Sequence, residues 1–406
     1  MSTASLLRSA LLLVLTSHAV VAHGQTRLVA PAAQNRAEMA ISQAGSGGWW
    51  AFGSPGESGD RGAAQLYLCS GQSCAHQQRL APGELAVDDR FGVAVAIDGS
   101  RLAVAAPGRG EGAVYLFQLS GGSWSLQQRL DAPAPGGEAF GSALALTGNR
   151  LFVGAPKASA AAGAVHVYTE AAGSWTLQAQ LDADDPQTSA AFGSSLAVSG
   201  SGLLVGAPGA HDGAPGSHAQ GAAYVLNAAA PHAQLVRLQA PTAPQGARYG
   251  SAVAIGSGRL LIGAPKAAAG VGNAVVYDGS GASWSASAVL NLGDGVPGDR
   301  VGWSVALLGD QAVIGAPFAL AGCGRVLSAT FNGVGWGPLV DVPGGNAVLG
   351  QLRGYSVALS GTVVAQGAPG YAGGDSHQGA ALLLDQADAV FSGDFEALPE
   401  DVCVVP

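Results

Sequence analysis

Two segments hold the residue types from which metal or hydrolytic sites are built. Segment 209–223, GAHDGAPGSHAQGAA, carries His211, Asp212 and His218, and segment 370–381, GYAGGDSHQGAA, carries Asp375, Ser376 and His377. Histidine beside aspartate can ligate a metal or activate a hydroxyl as a nucleophile. Both segments also share the short pattern S-H, one or two residues, then G-A, in a glycine-rich setting typical of solvated turns. Glu57 and Asp60 stand in the corresponding segment near the N-terminus. Asp88, Asp89, Asp184, Asp185, Asp294 and Asp299 read as turn formers rather than ligands. No GxSxG elbow, HExxH pair, CxxC pair or phosphate-cradling glycine loop is present. The expectation is therefore a binding face drawn from Glu57, Asp60, His211, Asp212, His218, Asp375 and His377, with no catalytic residue, metal or cofactor.

Composition narrows the class further. Only 11% of the 406 residues are charged and 48% are hydrophobic, which excludes a solvated disordered chain. A formal charge of −9 without any Lys/Arg cluster argues against nucleic acid and against anionic membrane surfaces. Residues 1–22 read as a signal peptide: Arg8, the apolar run ALLLVL at 10–15, and the small residues Val20-Val21-Ala22. That run is far shorter than the roughly 20 residues a span needs, and no later segment is longer. A secreted or periplasmic protein is expected, with its four cysteines in two disulfides. Cys69–Cys74 is close enough in sequence to staple a hairpin; Cys323–Cys403 follows by elimination.

The elements that must position these residues come in seven copies. A G/A-A/S-P triplet places proline at 55, 107, 156, 208, 265, 317 and 369, at spacings of 52, 49, 52, 57, 52 and 52. Each unit reads as four short strands. In the second, FGVAVAI (91–97) alternates, Asp98-Gly99-Ser100 turns, RLAVAA (101–106) returns and Pro107 ends it. GAVYLFQL (112–119) and WSLQQRL (124–130) follow. Four-stranded units of this length in tandem predict an all-β, seven-bladed β-propeller with antiparallel blades. The tryptophan opening the fourth strand recurs at 124, 175, 284 and 336 and is expected between blades; in the first unit Cys74 stands there instead. The seventh unit lacks a fourth strand, and QTRLVAPA (25–32) matches QQRLDAPA (128–135). The N-terminus is thus expected to close the last blade, giving a signal peptide (1–22), one propeller (23–386, with 23–32 as closing strand) and a tail (387–406).

FG, YG or VG followed some fourteen residues later by GAP resembles the FG-GAP repeat, the unit of the seven-bladed propeller of integrin α chains and of many exported bacterial proteins. The matching pairs are Phe91-Gly92, Phe140-Gly141, Phe192-Gly193, Tyr249-Gly250 and Val301-Gly302; Arg353-Gly354 and Met39-Ala40 are drifted copies. Integrin-like units carry D-x-D-x-D-G-x-x-D calcium loops between FG and GAP. Here that place holds IDGSR, LTGNR, VSGSG, IGSGR, LLGDQ and LSGTV, none with more than one carboxylate, so calcium is not carried over. The tail segment VFSGDFE resembles a short acidic ending of secreted repeat proteins of some Gram-negative bacteria.

In such a blade the 1–2 and 3–4 turns share one face, and the 2–3 and 4–1 loops the other. The 1–2 turns are minimal and all length variation lies in the other loops, which directs function to that face. The resemblance implies the same. A monomeric, non-enzymatic binding or adhesion module for a protein or glycan is expected. The alternatives are a secreted hydrolase or lyase, a carbohydrate-binding protein, or a structural subunit.

Overall fold

The computed structural model describes residues 25–31, 36–70, 73–133, 138–211, 219–241, 244–344, 349–372 and 377–385. Seven four-stranded antiparallel sheets follow one another along the chain. Their first strands are Gln43–Ser46, Val95–Asp98, Ala143–Thr147, Ser195–Ser199, Ala252–Gly256, Ser304–Leu308 and Val357–Ser360. These strands lie side by side around a central channel. Blade 2 continues through Arg101–Ala106, Ala113–Ser120 and the outer Ser123–Asp131. Strand one of this blade starts four residues later than the alternation suggests, because Phe91 and Gly92 are the centre of a turn.

That turn recurs in every blade and explains the motif. The carbonyls of Glu38, Arg90, Ala139, Ala191, Arg248, Arg300 and Leu352 each accept from the N–H three residues on, so the F-G pair is the middle of each turn. The glycine before each third strand lies against the next blade's turn: a Cβ on Gly163 would stand 2.1 Å from the Phe192 carbonyl oxygen and 2.4 Å from its nitrogen. Gly62, Gly221 and Gly272 make the same parallel bridge to Phe91, Tyr249 and Val301. The GAP glycine is a second contact, since a Cβ on Gly206 would meet the Gly250 oxygen at 2.0 Å. The repeated glycines are thus the seams between blades.

Between the seams lie the side chains predicted for them. Phe91 and Trp124 are buried with Trp49, Leu66, Leu102 and Tyr115 in one cluster spanning blades 1 and 2. The Trp49 and Trp124 rings meet edge to face at 5.6 Å. Trp124 and Trp175 are buried; Trp284 is half-buried, and Trp336 is half-buried in the stretch before the sixth blade's outer strand, which is only Val340–Asp341. The Gln78 amide bonds the Trp124 backbone both ways (2.9 and 2.8 Å), and Gln128 does the same to Trp175 (2.8 and 2.9 Å). Cys69 and Cys74 form a disulfide across strands three and four of blade 1. Cys323 is buried, and its expected partner Cys403 lies outside the described residues, as do the signal peptide and the tail.

Closure follows the expected route. Gln25–Leu28 pairs antiparallel with Ala380–Asp385, in the register Gln25 to Leu384 through Leu28 to Ala381. Leu28 and Ala30 are buried there, and the Tyr67 hydroxyl donates to the Val29 carbonyl at 2.7 Å.

One core group makes stability pH-dependent. His166, fully buried on the third strand of blade 3, has Nε2 3.4 Å from Glu138 Oε2 and its ring 5.4 Å from Phe140. Burial holds the imidazole below its ordinary pKa, with the Glu138 carboxylate partly opposing. The unfolded chain therefore binds a proton that the folded chain resists. Stability is fully present above the ordinary histidine value of about 6.5 and is lost as pH falls below it. Urea midpoints should decline between about pH 7 and pH 5. His166→Gln should flatten that decline in part, since His76 is also lowered by burial and still contributes.

Candidate binding face

The carboxylates and histidines singled out by sequence are dispersed. Glu57 lies beneath the face: it is 1% exposed, accepts from Arg79 Nε at 2.5 Å and Gln65 Nε2 at 3.0 Å, and Gln65 in turn contacts His76 at 2.9 Å. It is part of the blade 1 interior. Asp60 is exposed in the following turn, where its carbonyl accepts from the Arg90 N–H. His211, in blade 4, is fixed through its backbone, which exchanges hydrogen bonds with the Gln187 amide at 2.8 and 2.9 Å and accepts from Arg237 at 3.0 Å. His377 is exposed in blade 7 with φ 60°. Asp212, His218 and Asp375 lie outside the described residues. Among the described residues no three His, Cys, Asp or Glu side chains converge on a point where an ion could sit.

A different set does converge. The residue before each F-G pair is left-handed in all seven blades, with φ of 53° at Glu38, 55° at Arg90 and 59° at Arg300. Seven side chains thus occupy equivalent turn positions, one per blade, on the face of the 2–3 and 4–1 loops. Glu38 and Arg90 pair across neighbouring blades at 3.3 Å. Arg248 and Arg300, on blades 5 and 6, meet no carboxylate among the described residues, nor does exposed Lys266, whose N–H bonds the Ala247 carbonyl at 3.1 Å.

The residue after each F-G pair shows the same break in symmetry. Blades 1 to 5 have Ile41, Val93, Ser142, Ser194 and Ser251, whereas blades 6 and 7 have Trp303 and Tyr355. The Trp303 ring lies 5.2 Å from Phe318 at 80° and 5.3 Å from Tyr355 at 57°, forming a corner. Arg300 is held over both Phe318 (4.9 Å) and Trp303 (5.7 Å), so ring faces fix the guanidinium without a counter-charge. Burial pushes the Tyr355 hydroxyl above its ordinary pKa, and the Glu38 charge adds to this, so it stays protonated as a donor.

The corner borders a channel cavity of about 280 Å³, lined by Val93, Ala94, Leu144, Leu196, Val253 and Val305 among others. Its serines are committed. Ser42, Ser195, Ser304 and Ser356 donate to the next blade's turn carbonyl, and Ser194 and Ser251 to their own. A second cavity of about 470 Å³, beside blade 2, is lined by Arg109, Arg129, Asp89 and Asp131 among others. There the charges are already matched: Arg109 with Asp89 at 2.9 Å, and Arg129 with Glu84 at 2.8 Å and Asp131 at 2.9 Å.

These features define the class: a seven-bladed β-propeller whose blades are joined through F-G turns and whose elaborated face carries the irregular residues. The FG-GAP repeat family matches residues 75–117, 175–226 and 284–324. The chain carries FG-GAP repeats. Each match starts in or beside the outer strand of one blade and runs through the inner strands of the next, so the sequence repeat is offset from the blade by one strand. No curated protein matches the chain. Among the described residues no helix is long and apolar enough to cross a membrane.

Proposed function

We propose that the chain is an exported, non-enzymatic binding or adhesion module that engages a protein or glycan through the face of the 2–3 and 4–1 loops. The observation carrying this reading is the corner of Arg300, Trp303, Phe318 and Tyr355. It places half-buried Trp303 and Tyr355 where the other five blades have isoleucine, valine or serine, and sets an unneutralised cation over the rings. Aromatic and arginine side chains of this kind are the usual anchors of interfaces. The propeller fold supports a protein-interaction role in general, and the Cys69–Cys74 disulfide fits an oxidising compartment.

The test is a binding screen of residues 23–406 against surface proteins and glycans, repeated with Arg300→Asn/Trp303→Ala. Loss of two anchors of about 2 kcal/mol each should weaken a genuine ligand by a factor of about 100 or more, with circular dichroism showing the variant still folded as a β protein. Equal binding by both proteins would discard this corner as the site.

A further inference from the structure

We propose that the ligand of this corner is an acidic peptide segment, bound with an apolar side chain seated in the channel mouth; the proposal rests on the binding-module reading above. Charge comes first. In a chain of net charge −9, Arg248, Lys266 and Arg300 form an arc of cations on blades 5 and 6 with no carboxylate among the described residues. The two arginines that line the second cavity, Arg109 and Arg129, are by contrast already matched. Arg248 and Arg300 hold the same left-handed turn position on adjacent blades, with φ 56° and 59°, so they offer repeated sites for successive carboxylates along an extended chain.

The channel then separates peptide from acidic polysaccharide. A sugar ring presents hydroxyls on every side and needs partners for them. The mouth instead shows valine, alanine and leucine; its serine hydroxyl protons are spent on backbone carbonyls and the Gln43 amide donates to the Ala365 carbonyl, so Gln43 Oε1 is the one unpartnered buried side-chain acceptor there among the described residues. A dry cavity of about 150 Å³ suffices to hold benzene, so the 280 Å³ here accepts a leucine or phenylalanine side chain. Trp303 lies beneath Arg300 and, with Tyr355, lines this opening, where the two rings would cover the peptide backbone between an acidic residue and the apolar one.

The experiment uses residues 23–406 and fluorescence anisotropy with a labelled Asp-Asp-Leu-Asp-Asp peptide. Its Asn-Asn-Leu-Asn-Asn and Asp-Asp-Gly-Asp-Asp counterparts and a labelled oligogalacturonate serve as comparisons. The acidic leucine peptide should bind, and each counterpart should bind about tenfold more weakly or worse. Arg300→Asn and Arg248→Asn should each cost about tenfold, since asparagine tolerates the left-handed turn and a lost charge-assisted bond is of that order. Raising salt from about 0.05 to about 0.3 M should weaken binding further. Indifference to both arginine variants, or equal binding of oligogalacturonate, would overturn the proposal. A screen ligand that needs Arg300 and Trp303, with no binding of the acidic peptide, would leave the face a binding site and overturn this assignment of its ligand.

Discussion

Gly163→Ala is expected to destabilise the propeller by about 3 kcal/mol or more, a fall in melting temperature of about 6 °C or more. Two costs add. Gly163 has φ 90°, a left-handed conformation that costs an L-residue about 1–2 kcal/mol. Its new Cβ would also lie 2.1 Å from the Phe192 oxygen and 2.4 Å from its nitrogen, both backbone atoms of the next blade. Neither can swing aside as a side chain does, so blades 3 and 4 must separate and loosen the packing around Phe192. Gly148→Ala isolates the first cost, because Gly148 has φ 53° with nothing within 4 Å of a Cβ. Thermal melts of the two variants side by side decide the matter; equal losses would remove the inter-blade explanation. The GAP glycine is a weaker choice, since blade 2 has Ala105 there. By contrast Gly62, Gly112, Gly163, Gly221, Gly272, Gly324 and Gly379 occupy the first position without exception.

Deleting residues 23–32 should lower the melting temperature by about 10 °C or more, given burial losses of about 2–5 kcal/mol for a leucine alone and the ladder beside it. The deletion removes the partner of Ala380–Asp385, uncovers the cluster around Trp50, Phe52, Tyr67 and Leu383, and takes away the carbonyl that Tyr67 donates to. It also leaves the sequence AALLLD as an exposed edge, which invites pairing with another chain. Concentration-dependent association should therefore accompany the lower melting point, and a synthetic peptide of residues 23–32 should reverse both. A truncated protein that melts like the full chain would show that the ring does not depend on this strand.

Much of this architecture is legible in the chain because it repeats. Seven copies of the triplet count the blades, and the likeness of QTRLVAPA to QQRLDAPA identifies the closing strand. What the triplet is for is not legible. Proline reads as a strand stop, but the glycine two places earlier answers to a carbonyl in the next blade, a contact that local pattern cannot reveal. Likewise FG reads as the start of a strand, yet it is the centre of a turn whose conformation is set by the neighbouring blade. Glu57 resembles a free loop carboxylate until its bonds to Arg79 and Gln65, on the fourth and third strands respectively, are seen. The aromatic corner did have a sequence signal. Read down the repeat, the position after FG runs Ile, Val, Ser, Ser, Ser, Trp, Tyr, and a break in an otherwise non-aromatic series marks the candidate corner. It is masked by the fourth-strand tryptophans, which draw aromatic residues into a packing explanation, whereas Trp303 belongs to no such series.

The outer strands of the blades are unequal, and this gives the ring a direction. Blades 1, 2, 3 and 5 end in strands of eight or nine residues, blade 4 in five, blade 7 in four and blade 6 in two. The paired glutamine clasps join blades 1 to 2 and 2 to 3, on the side with the long strands. Blades 1 to 3 are therefore tied together more extensively at the rim than blades 6 and 7, and amide exchange is expected to be faster in the latter. Trp303, Phe318 and Tyr355 sit on blades 6 and 7, on the thinnest arc of the ring. The proposed binding corner thus stands where the ring has the least outer-strand pairing to hold it.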